Sequence, residues 1–118
     1  MKIKTATFQE LFNTMWSGLA GQGWKRSIGG QIGDYRYRGS NGLKCAIGHC
    51  IDNKTAKEWE GHSIGNANIE YKLNIKPERL KFLTDCQRAH DSGALISESV
   101  EQNFRDIAKK YNLTIPGE

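Results

Sequence analysis

The sequence predicts an α+β fold: a small central antiparallel sheet or hairpin, packed by an N-terminal helix and two C-terminal helices. Three observations predict it. Apolar residues recur at helical spacing near both ends of the chain. Between them, Asp34 to Arg38 alternates aromatic and basic residues, the period of a strand. Asn41 and Gly42 then separate that stretch from Leu43 to Ile51, as the turn of a tight hairpin would. The length of 118 residues fits one domain, 1–118, and no repeat, linker or low-complexity segment divides it.

Each element has its own warrant. Thr7 and Glu10 have capping-box spacing, and Phe8, Leu11, Phe12, Met15, Trp16 and Leu19 follow on one helical face up to Ala20. Gly18, Gly21 and Gly23 weaken and stop that helix. Tyr35 and Tyr37 would share one face of the next strand, with Arg36 and Arg38 on the other. Thr55 and Glu58 repeat the capping-box spacing and predict a short helix over Ala56 to Glu60, ended by Gly61. Ile69, Tyr71, Leu73 and Ile75 alternate with polar residues and predict a short strand or extended connection. Pro77 suits the first turn of a helix carrying Leu80, Leu83, Cys86, Gln87 and His90 along one stripe. The last helix is capped near Ser97 or Ser99 and presents Val100, Phe104, Ile107, Ala108 and Tyr111 on one face.

Bulk properties bound the function class. Hydrophobic content of 37% and charged content of 25% fit a soluble globular chain. No apolar run approaches the roughly 18 residues of a membrane span, and the N-terminus lacks the apolar region of a signal peptide, so no membrane association and a cytoplasmic location are expected. An odd cysteine count of three argues against a disulfide framework. Through Lys54 there are eight Lys/Arg against three Asp/Glu; from Thr55 onward there are nine against ten. The basic first half favours an anionic partner such as nucleic acid, a nucleotide or an acidic protein, or is simply a soluble basic face.

Three constellations carry possible chemistry. In the first, Cys45 is a thiol nucleophile, His90 or His62 its base and Asp91 an orienting carboxylate, with Lys44 favouring the thiolate. Asp91 sits about 100° around the helix from His90, which works against that orienting role. Small buried hydrophobes are the alternative reading of the same cysteines. In the second, Cys45 with His49 and Cys86 with His90 are each four residues apart, and the four close a tetrahedral zinc site if both segments are helical. The spacing differs from that of zinc fingers, and the reading kept is no metal and no cofactor. In the third, Trp24, Lys25, Arg26, Tyr35, Arg36, Tyr37, Arg38 and Lys44 interleave aromatics with cations, a composition that stacks bases or tracks phosphates. Gly29-Gly30-Gln31-Ile32-Gly33 lacks the Lys-Ser/Thr of a phosphate loop.

Tyr37-Arg38-Gly39, the run Asn41-Gly42-Leu43-Lys44-Cys45-Ala46-Ile47-Gly48 and the later Gln87-x-x-His90-Asp91 resemble a group of small uncharacterised proteins of tailed phages and prophages. The resemblance spans most of the chain from Phe8 to Tyr111. His49 and Cys50 depart from the group, where an apolar, proline-containing stretch usually follows. The resemblance implies a phage or prophage accessory protein and brings no activity with it. The expected function is therefore binding to a host or defence-system component, as inhibitor or modulator, through the basic aromatic surface. A cysteine-dependent hydrolase or transferase using Cys45 and His90 is the alternative, and a zinc-binding module that engages nucleic acid is a further one. Whether the chain is an enzyme, and its oligomeric state, are left open by the sequence.

Overall fold

The first long helix starts at the residue its sequence marks. In a computed structural model, which describes residues 2–25, 28–29, 34–91 and 99–118, the Thr7 hydroxyl accepts from the Glu10 N–H while the Glu10 carboxylate accepts from the Thr7 N–H. This capping box opens α2 (Phe8–Gly21), behind the single turn α1 (Lys2–Thr5). Leu11, Phe12, Met15, Trp16 and Leu19 are its buried face. α3 (Asn53–Trp59) and α4 (Ile64–Glu70) are short and capped by Asp52 and Ser63. α5 (Pro77–Asp91) and α6 (Val100–Lys110) are the long C-terminal pair, and Ser99 caps α6 by accepting from the Gln102 N–H.

α2, α5 and α6 form the apolar frame. Phe8 stacks on Phe82 at 4.4 Å between ring centroids, and Tyr111 meets Phe82 edge-on. Phe12 and Trp24 both approach Phe104. Phe12, Phe82, Leu83 and Phe104 are wholly enclosed, and each such side chain contributes about 1.5–3 kcal/mol by leaving water. Arg79 ties α1 to this frame by donating to the Ile3 and Ala6 carbonyls while lying over the Phe8 ring.

Among the described residues the expected central sheet does not form, and the fold is all-helical rather than α+β. Among the described residues, β pairing is confined to a two-residue antiparallel ladder, β1 (Ile28–Gly29) with β2 (Asp34–Tyr35), and one isolated bridge from Arg38 to Lys44. The turn between Arg38 and Lys44 is there: Asn41 and Gly42 take φ values of 60° and 76°, and the Gly39 N–H reaches the Leu43 carbonyl at 2.8 Å. Beyond Lys44, however, the chain curls into a 3-10 turn, Ile47–Cys50. The reason is burial on every side. Cys45, Ala46, Ile47, Gly48 and Cys50 are all buried, and a strand so enclosed needs sheet partners on both edges, which the described residues do not supply.

The stretch Ile69 to Ile75, expected as a short strand or an extended connection, starts in α4, which ends at Glu70, and runs on as a connection to α5. Ser63 caps α4 through the Asn66 N–H, and Ile64 and Ala67 face the core. Ile69, the first of the alternating apolar residues, lies on α4 and is 77% exposed. After α4, Lys72 and Asn74 take positive φ and turn the chain toward α5. The short helix predicted from Thr55 begins earlier, because the Asp52 carboxylate accepts from the Thr55 N–H and starts α3 at Asn53.

Candidate functional site

The 3-10 turn Ile47–Cys50 lies between α2 and α5 and holds the residues from which chemistry was expected. Its position depends on Arg38. The guanidinium donates to the Gly48 carbonyl at 2.7 Å, to the Ile51 carbonyl at 2.9 Å and to Asn53 Oδ1 at 3.0 Å. Arg38 is thus a brace that satisfies backbone acceptors no helix or sheet reaches. Glu60, at the end of α3, completes it by accepting from the backbone N–H groups of Tyr37 and Arg38. The Tyr37 ring is buried against Trp59, and its hydroxyl donates to the His62 carbonyl. Gly48 is required here: a Cβ on it would stand 2.4 Å from the Tyr37 carbonyl oxygen.

A second anchor comes from α2. The Gln22 side chain pairs with the Lys44 backbone in both directions, accepting its N–H at 3.1 Å and donating to its carbonyl at 2.7 Å. Gln22 Oε1 also lies 3.0 Å from His49 Nε2. The His49 ring rests on Gly18, where a Cβ would come within 2.3 Å of Nδ1. Burial, then Lys44, Arg38 and His90, push His49 down to about 4, so it is a neutral imidazole at neutral pH.

The thiol constellation is placed as follows. Cys45 is fully enclosed, and its Sγ accepts from the Gly48 N–H at 3.2 Å. His90 is fully enclosed on α5. The Asp91 side chain lies outside the described residues. His62 is half-buried and meets the Tyr71 ring edge-on. Cys86 is fully enclosed, and burial, followed by the nearby Cys50 and Asp85, pushes its thiol well above the usual range. Cys50 is the most open of the three, at 7% exposure. Among the described residues, no group of three or more His, Cys, Asp or Glu side chains is arranged to hold a metal ion, so Cys45, His49, Cys86 and His90 do not close a tetrahedral site.

The basic aromatic stretch divides as well. Trp24 is half-buried, meets the Trp16 ring edge-on at 4.7 Å and sits at a φ of 61° just after α2. Tyr37 and Arg38 are structural, as described above. Arg36 is half-buried, and its Nε has no hydrogen-bond partner among the described residues. Lys25 is exposed and Lys44 half-buried. Arg26 and the Tyr35 side chain lie outside the described residues. A strand with tyrosines on one face and arginines on the other therefore does not stand at the surface through Tyr37 and Arg38.

Sequence reasoning missed Gln22, Glu60 and Asn53, which fix the turn together with Arg38 and with Gln87, whose Oε1 accepts from the Ile47 N–H. They carry no periodic signal, because each acts through one backbone or guanidinium contact. No helix among the described residues is long and apolar enough to cross a membrane. The chain matches no protein-family model, and no curated protein and no solved structure is detectably similar to it.

Proposed function

We propose that this protein acts by binding a macromolecular partner and performs no thiol chemistry. The observation that carries this reading is the enclosure of Cys45 and His90, both at 0% exposure. A nucleophile must meet its substrate as a thiolate with a base in reach. Cys45 instead receives a backbone N–H from its own turn, and the neighbouring His49 is neutral and engaged with Gln22. These groups serve packing. The partner class, a host or defence-system component met by a phage or prophage accessory protein, rests on the resemblance carried by Tyr37–Gly39, Asn41–Gly48 and Gln87–Asp91. Among the described residues of the basic stretch, Lys25 and Lys44 are cations placed for contact with an acidic partner surface.

The test compares two variants in affinity capture from bacterial lysate, each checked for an intact fold by circular dichroism. Lys25→Glu with Lys44→Glu should abolish capture of the partner that the wild-type protein retains, and Cys45→Ala should keep it. The opposite pattern, with Cys45→Ala inactive and the charge reversal neutral, would overturn this reading in favour of the thiol enzyme.

A further inference from the structure

The chain turns back after α6. Asn112 takes a φ of 55°, and residues 113–118 then run along the seam between α6 and α2, past Gln9 and on to Arg105. The Gln9 amide pairs with the Thr114 backbone in both directions, donating to its carbonyl and accepting its N–H, each at 2.9 Å. The Arg105 fork holds both oxygens of the Glu118 carboxylate, at 3.1 and 2.7 Å. Leu113 and Ile115 pack against the edge of the core. A receptor reads an extended peptide with the same three devices: backbone pairing for register, shallow apolar contacts, and a guanidinium on a carboxylate.

Two features set this segment apart from the helices beneath it. None of its residues is buried: Leu113, Ile115 and Pro116 are half-buried, and Thr114, Gly117 and Glu118 are exposed. Segments with so few buried contacts open at the low end of local stability. The groups that hold it are also positioned without it. Gln9 donates to Asn13 Oδ1 at 2.8 Å within α2. Arg105 pairs with Glu101 at 3.1 Å within α6 and lies over the Trp16 ring. Both pairs span one helical turn, so Gln9 and Arg105 stay oriented when the segment leaves.

We infer that the seam between α2 and α6 is a docking groove for an extended acidic peptide, and that residues 113–118 fill it as an internal competitor. The fitting ligand carries an apolar residue on each side of the one paired with Gln9, and a carboxylate four residues beyond it. The inference does not rest on the partner reading above, which turns on Lys25 and Lys44.

An acetylated and amidated peptide of residues 113–118, titrated calorimetrically into the full chain, tests it. Thr114→Pro with Glu118→Ala empties the groove, because proline lacks the N–H that Gln9 accepts and alanine lacks the carboxylate. The peptide should bind this variant at least about tenfold more tightly than the native chain, where the tethered segment competes. A peptide with glutamine in place of its glutamate should bind the variant about tenfold more weakly than the parent peptide. In the native chain, hydrogen-exchange protection of the Thr114 amide should lie at least about tenfold below that of Ala108 in α6. Equal affinity for variant and native chain, equal binding of the glutamine peptide, no saturation at tens of millimolar, or a Thr114 amide as protected as that of Ala108 would each overturn the inference. Unfolding of the variant, seen by circular dichroism, would make the segment an integral part of the fold and overturn it as well.

Discussion

Two regions of this molecule are held together by different physics. The frame of α2, α5 and α6 rests on apolar side chains at helical spacing, such as Phe12, Phe82 and Phe104, each wholly enclosed. The centre, from Tyr37 to Ile51, rests on polar side chains that reach backbone groups: Arg38 to Gly48 and Ile51, Gln22 to Lys44, Glu60 to Tyr37 and Arg38. The frame draws its stability from area and volume, which neighbouring residues can partly share. The centre draws its shape from single contacts whose loss leaves buried backbone groups unpaired, at about 1–3 kcal/mol each. The frame should therefore tolerate substitution that conserves volume, and the centre should fail at small changes.

Gly48→Ala is the sharpest way to break that comparison. One methyl group, placed 2.4 Å from the Tyr37 carbonyl, must push apart the turn and the strand-like segment that Arg38 joins. Loss of roughly 3 kcal/mol or more is expected, since overpacking and broken backbone contacts act together. Met15→Leu, a change of similar scale inside the fully buried α2 face, should cost under about 1.5 kcal/mol. Urea unfolding of both variants measures the difference. Equal costs would show that the two regions do not differ as described. Arg38→Lys should come next. A lysine has one charged nitrogen and no planar fork, so it cannot serve Gly48, Ile51 and Asn53 at once, and a loss of about 2–3 kcal/mol is expected. A lysine variant as stable as the native chain would show that the brace is dispensable.

The same contrast decides what could be read from the sequence. The frame was visible: α2 with its Thr7–Glu10 box, the Leu83–Cys86–His90 stripe of α5 and the Val100–Phe104–Ile107 face of α6 all stand where helical spacing places them. The Asn41-Gly42 turn was visible too, because positive φ has a residue signature. What followed from that turn was not. Alternation from Asp34 to Arg38 implied a sheet, but Tyr37 is inward because its hydroxyl and N–H find His62 and Glu60. Arg38 is not free for solvent because four oxygen acceptors surround it. Ile69 misled in the opposite sense, since a lone exposed isoleucine on α4 mimics the period of a strand. For the site, the sequence singled out Cys45, His49 and His90, and all three lie in or beside one buried region. Their burial, which decides between reactive and structural roles, depends on packing that no local pattern carries.

The smallest effect expected is a pH dependence confined to the centre. His49 is held down to about 4 from an ordinary 6.5 by burial and by Lys44, Arg38 and His90. As pH falls, the unfolded chain takes up this proton before the folded one does. Stability from the neutral ring is therefore complete above pH 6.5 and declines as pH falls toward 4. Because the ring is only half-buried, the loss is about 1 kcal/mol rather than the full linkage value. Asp52 and Asp85 shift downward from 3.8, through hydrogen bonds from Thr55 for the first and from Tyr111 and Lys110, which outweigh burial, for the second. Their contributions are lost only below that value, so the two windows separate. Unfolding midpoints in urea at pH 7 and pH 5 should differ for the native chain and differ less for His49→Gln, which keeps a polar group against Gln22. Surface variants of α6, such as Lys109→Gln, should leave the difference unchanged. If His49→Gln retained the full native slope between pH 7 and 5, the neutral imidazole on Gly18 would not be what couples this turn to acid, and the centre would owe its pH response to other groups.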